Sequence, residues 1–141
     1  MPASPNAELN DLALDASGNI HITGSYRGTI DFDPSGAVAS RTALLEDIFV
    51  AKYDASGNYL WANSMGSGGS MTNVGNAIIV DNLGNAYVTG HFAGTVDFDP
   101  GVGTTNLVSS GTFTDIYLAK YNSLGTFQWA FRAGNTNQDV G

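Results

Sequence analysis

Two segments place acidic side chains in a spacing that suits cation chemistry: Asp31-Phe32-Asp33-Pro34 and Asp97-Phe98-Asp99-Pro100. In an extended backbone, residues i and i+2 point to the same side. Each motif therefore sets two carboxylates on one face and turns Phe32 or Phe98 to the other. Paired carboxylates suit Ca²⁺, which takes about 6–8 oxygen ligands. Asp31, Asp33, Asp97 and Asp99 are thus calcium candidates, with carbonyls, Asn or water needed to complete each shell. The spacing is not that of an EF-hand loop. Two other readings stand beside this one. Asp33 or Asp99 can anchor an Asx-type turn before proline by accepting backbone amides. A glycosidase acid and base also form a carboxylate pair, although the sequence defines no single deep site. None of these patterns requires a cofactor; calcium is the one candidate.

Other residues recur without defining a reactive centre. Trp61 and Trp129 occupy equivalent places, which favours packing over an exposed platform for sugar stacking. Tyr53 and Tyr121 are equivalent too. Lys52 and Lys120 alternate with apolar neighbours, the pattern of a solvated strand face along which a lysine snorkels. Pairing them with Asp47 and Asp115 contributes little if exposed. His21 aligns with Tyr87 and His91 with Ser25, so no histidine role repeats. Gly66-Ser67-Gly68-Gly69-Ser70 precedes no helix that would present an N-terminus to phosphate, and it reads as a connection.

These residues sit in a chain that repeats itself. Asp15 to Pro34 returns as Asp81 to Pro100, an offset of 66, and Asp47 to Gly66 returns as Asp115 to Gly134, an offset of 68. Such a period marks a repeat architecture, in which each unit buries its faces against neighbours. The boundaries fall at 7–72 and 73–141. Short alternating runs separated by Gly-containing turns indicate strands. In the first unit they are Leu12 to Leu14, Ile20 to Thr23, Ile48 to Tyr53 and Tyr59 to Ala62. In the second they are Ala77 to Val80, Ala86 to Thr89, Ile116 to Tyr121 and Thr126 to Phe131. Each unit carries an insertion between its second and third runs. In the second unit, Gly94 to Asp99 and Thr105 to Ser109 suit an extra hairpin.

Four antiparallel strands joined by short turns make a meander, the form of one propeller blade. The expected fold class is all-β: two four-stranded antiparallel β-propeller blades, stacked face to face, with the first strand of each the most buried. Two blades do not close a ring, which needs about 4–8. The propeller is incomplete unless copies assemble or the chain belongs to a longer array. Asp139-Val140-Gly141 matches Asn73-Val74-Gly75, where a further unit would begin. The expected partners are further blades in cis or identical copies in trans. Ile48, Val50, Ile116 and Leu118 are expected near the uncovered outer faces.

Composition removes several function classes. Acids outnumber Lys and Arg by 13 to 5, a net charge of −8, and the five cations are scattered. Nucleic acid is therefore not an expected partner, because phosphate binding needs clustered Lys and Arg. Without cysteine there is neither a disulfide framework nor a thiolate zinc site. Met1 to Asn10 lack the basic start and apolar core of a signal peptide. No apolar run approaches the ~20 residues that span a bilayer, so membrane insertion is not expected.

The block Asp-Ile-Phe-Val-Ala-Lys-Tyr-Asp at 47–54, Trp61-Ala62, Ala77 to Asp81, and Gly84-Asn85-Ala86-Tyr87-Val88-Thr89-Gly90 resemble the SBBP-type bacterial β-propeller repeat. The long insertion holding Asp-Phe-Asp-Pro is a departure from it. The resemblance implies a blade of a large secreted or cell-surface protein, hence an extracellular or surface location. It implies no activity, because the fold hosts many. The expected function is a non-catalytic structural or interaction module facing a protein or glycan ligand. The alternatives are a fragment of a polysaccharide-acting propeller enzyme and a calcium-stabilised glycan-binding propeller.

Overall fold

Four similar turns set the strand layout. At Asp81, Oδ1 accepts the amides of Leu83 and Asn85, each at 2.9 Å, and the Gly84 amide bonds the Asp81 carbonyl. Gly84 takes φ +79°, a left-handed conformation that closes a type I turn and returns the chain antiparallel. Asp15, Asp54 and Asn122 anchor the same arrangement. These turns join β1 (Asn6–Leu14) to β2 (Ile20–Asp31), β3 (Ser40–Tyr53) to β4 (Tyr59–Met65), β5 (Val74–Val80) to β6 (Ala86–Phe92), and β9 (Asp115–Tyr121) to β10 (Phe127–Ala133). A short hairpin of β7 (Thr95–Asp97) and β8 (Asn106–Val108) lies between β6 and β9. A computed structural model describes residues 4–68 and 71–134, and no helix occurs among them.

The first sheet has the order β1-β2-β3-β4 and the second β10-β9-β6-β5, all antiparallel, with no strand shared between them. β5 packs against β1 and β2, so the sheets lie face to face. Between them sits the main core, where Ile48, Val50 and Met65 of the first sheet meet Ile78, Val88 and Phe92 of the second. A second cluster, including Tyr26, Phe32, Phe49 and Ala51, covers part of the far side of the first sheet.

Several expectations change. The first strands are not the most buried: Leu12 and Leu14 of β1 are 50% and 60% exposed. β1 is an edge strand, and its outer side has no sheet over it. Ile48 and Val50 lie at no outer face but are fully buried, because they point at the second sheet. Ile116 and Leu118 are half-buried on the side of the second sheet turned away from the first. The strands of the first sheet also run longer than the sequence indicates. Its insertion is no separate hairpin, since β2 and β3 continue through it after a bulge and pair from Gly28↔Ala43 to Asp31↔Ser40. The segment after Gly134, including Asp139 to Gly141, lies outside the described residues, as do Gly69 and Ser70.

Candidate functional site

The Asp-Phe-Asp-Pro segments end the β2 and β7 strands, and each packs its phenyl ring inward. Phe98 is fully buried against Phe92 and Tyr117, with ring centroids at 5.4 and 4.7 Å, and Phe32 meets Phe49 at 5.3 Å. The Tyr121 hydroxyl donates to the Phe98 carbonyl at 2.9 Å, and Tyr53 to that of Phe32 at 2.8 Å. Each tyrosine thus ties the motif down onto its own sheet. Burial chiefly pushes both phenols above their usual range, and the nearby carboxylates add to it. The aspartates face the other way, as the i, i+2 spacing requires. Asp97 Oδ1 accepts the amides of Asp99 at 3.0 Å and Thr105 at 2.8 Å, and Asp99 Oδ1 accepts that of Gly101 at 2.9 Å. Asp31 serves Asp33 and Ala39 in the same way, and Asp33 serves Ser35. The amides of Ala39 and Asp33 hold the Asp31 carboxyl below its usual range. This is the bonding of Asx turns. Among the described residues no group of three or more His, Asp or Glu converges as a metal site.

A polar cluster that sequence reasoning did not assemble lies at the seam between the sheets. Lys52 is no solvated lysine: it is 6% exposed, and its Nζ reaches Asp15 Oδ2 and the Ser123 carbonyl, both at 3.3 Å. His21, fully buried, places Nε2 3.4 Å from the same Asp15 oxygen, while its Nδ1 has no protein partner. Burial chiefly lowers the His21 pKa from its usual 6.5, against the pull of Asp15 and with the help of Lys52. Burial opposes ionisation of Asp15. Hydrogen bonds from Asn19, Ser17 and Lys52 outweigh it and hold the carboxyl well below the usual carboxylate range. A cavity of about 180 Å³ opens beside Asp15, Lys52, Gly84 and Ser123. The Asp47 and Asp115 pairing with lysine does not form. Asp115 instead binds Arg132 Nη1 at 2.7 Å and the Ser110 amide at 2.9 Å.

The two tryptophans part company. Trp61 of β4 lies over the turn before β10, donating Nε1–H to the Ser123 carbonyl at 3.2 Å, and Asn63 donates to that of Gly125 at 2.8 Å. A Cβ built on Gly125 would stand 2.7 Å from the indole, so only glycine admits this contact. Trp129 is 37% exposed on the outer side of the second sheet, stacked on Phe131 at 5.7 Å and edge-on to Tyr87 at 6.1 Å. Lys120 rests its ammonium 5.0 Å from the Tyr87 ring centroid. The packing reading of the tryptophans therefore describes Trp61. Asn73 is a further residue that sequence reasoning missed. It is fully buried, donates to the Glu46 carbonyl at 3.1 Å, accepts the Ala93 amide at 3.2 Å, and so stitches the sheets at the start of β5. The one signal for it was its recurrence as Asp139, which marks a shared position without saying what the side chain bonds.

No family model matches the chain. It is 31% identical over 137 residues to an uncharacterized WD repeat-containing protein of Acanthamoeba polyphaga mimivirus, across 88% of this chain and 9% of that protein. It is 30% identical over 93 residues to the regulatory protein FlaEY of Caulobacter vibrioides, across 66% of this chain and 9% of that protein. The chain thus spans about a tenth of the length of these curated relatives. Together with the antiparallel all-β sheets, the likeness to a WD repeat-containing protein points to a β-propeller-like repeat fold.

Proposed function

We propose that this chain is a non-catalytic structural and interaction module, a stretch of a secreted or surface-exposed bacterial β-propeller of the SBBP type in which each four-stranded sheet is one blade. The observation that carries the reading is the outer face of the second sheet. Ile79, Trp129 and Phe131 are 68%, 37% and 52% exposed there, on a face whose counterpart in the first sheet is covered by the second. Contiguous apolar surface of this kind marks contact sites. The arrangement of the polar groups supports the same reading. The Asp-Phe-Asp-Pro carboxylates hold turn amides, and Lys52, paired with Asp15, donates to the Ser123 carbonyl of the second sheet. Incubation with a panel of soluble polysaccharides, followed by a reducing-end assay, is expected to show no turnover. Cleavage that disappears in Asp33→Asn with Asp99→Asn would move the chain to the polysaccharide-acting alternative.

A further inference from the structure

The contact between the sheets is built once inside the chain, and both halves of it are presented again, unmatched, on the outside. His21, Lys52 and Trp61 of the first sheet meet the second sheet; their equivalents Tyr87, Lys120 and Trp129 form its open outer face. The surface that meets the first sheet includes Ile78, in the shared core, and the Ser123 carbonyl and Gly125, on which Trp61 sits. Its equivalents are Leu12, Ala55 and Gly57, on the open side of the first sheet. Ile78 is 3% exposed, whereas Leu12 is 50% exposed. A Cβ built on Gly125 would run into the indole, whereas one built on Gly57 meets nothing within 4 Å. One chain therefore carries an unseated indole and an empty glycine seat of matching form.

We propose that a second copy of this chain docks its first sheet, through Leu12 and the Asp54–Gly57 turn, onto the Tyr87–Trp129 face of the first copy. The proposal deepens the module reading and rests on it. The contact is heterologous, so each pair keeps one face of each kind free, and assembly continues until a ring closes or a chain propagates. Trp129 Nε1 and Lys120 Nζ are the donors that face the carbonyl of Ala55, as Trp61 and Lys52 face that of Ser123. Three departures shape this contact. Phe131 stands where Asn63 does and Ala77 where Asp11 does, so the bonds to Gly125 O and from Ile78 N have no counterpart. Leu9 stands where Gly75 does, and a Cβ on Gly75 would strike the Thr23 hydroxyl. The copies thus meet on a more apolar surface, with Leu9 pressed against Thr89.

Sedimentation of the full chain tests this with two exposed-site variants, Trp129→Asp and Leu12→Asp, each checked for an unchanged circular dichroism spectrum. The unchanged chain is expected to associate with rising concentration. Each variant alone should associate at least about tenfold more weakly, the loss of ~1.4 kcal/mol. Mixed in equal amounts, they should regain a one-to-one pair, because each keeps the face the other lacks. Leu9→Gly should tighten association. A chain that stays monomeric throughout overturns the proposal, as do variants that associate like the parent or a mixture that regains nothing. So does a monomer whose Trp129 emission shifts on adding soluble polysaccharide, which assigns the face to a glycan. These outcomes leave the module reading standing, since only turnover removes that.

Discussion

Asp47 is the residue at which protonation and packing conflict. Its equivalent Asp115 has Arg132 as a partner, but Ser64 stands at the arginine's position, and the Gly66 backbone closes against the Asp47 carboxylate. Burial pushes its pKa up to about 6 from 3.8. Between those values the native state binds more protons than the unfolded chain, so stability falls as pH rises. Allowing for its partial exposure, the ionised carboxylate costs about 1–2 kcal/mol at pH 7. Asp47→Asn is expected to raise the melting temperature at pH 7 and to leave it unchanged near pH 4. His21 and His91 act in the opposite sense. Burial lowers both below 6.5, so the unfolded chain takes up protons first and stability falls on acidification below that value. Once Asp47→Asn removes the opposing slope, the histidine slope should emerge, with melting temperature rising with pH up to about 6.5.

At the scale of elements, the turns and the hairpin carry the predictions. Gly57 and Gly125 share a left-handed conformation, φ +85° and +80°, so alanine strains both alike, by about 1–2 kcal/mol. Only at Gly125 does the new methyl also meet Trp61. The difference between Gly125→Ala and Gly57→Ala, measured by urea unfolding of monomer, therefore reads the seam between the sheets, with Gly125→Ala the more destabilising. In the β7–β8 hairpin, Asp97→Ala removes the acceptor of two amides and should cost about 1–3 kcal/mol. Asp97→Asn keeps that acceptor and should be tolerated. A calcium-driven rise in melting temperature that Asp33→Asn with Asp99→Asn abolishes would assign these aspartates to a cation instead. The turns and the second hairpin were legible because Asp-x-x-Gly and Val-Asp-Phe-Asp act locally, through bonds within a few residues. Lys52 and His21 were not, because Lys52 reaches a turn 71 positions further on and His21 meets the Trp61 ring of another strand, and one strand's alternation says nothing about what covers its face. The length of β2 and β3 was hidden for a related reason: residues 40–43 are held by pairing beyond the bulge rather than by their own pattern.

At the scale of the whole molecule, two sheets share one core, and the open faces are continuations of the contact inside it. Stability and association are then linked: whatever covers the Trp129 face adds to the folded state alone, by RT ln(1 + [L]/Kd), about 2.7 kcal/mol at a hundredfold excess over Kd. Melting temperature should accordingly climb with protein concentration in the unchanged chain and stay level in Trp129→Asp, as calorimetry over a dilution series would record. The ion pair between Arg132 and Asp115 has a bearing of another kind. β10 lies at the free edge of its sheet, and Arg132 is the one charged residue in its sequence, among Phe127, Trp129 and Phe131. An unpaired, aromatic edge strand is a template for adding foreign strands, and a charge on it is what blocks that growth. Asp115 therefore does more than neutralise a guanidinium; it fixes the gatekeeper of the edge in place. Arg132→Ser should form aggregates on mild heating, seen as turbidity, under conditions where the parent stays clear.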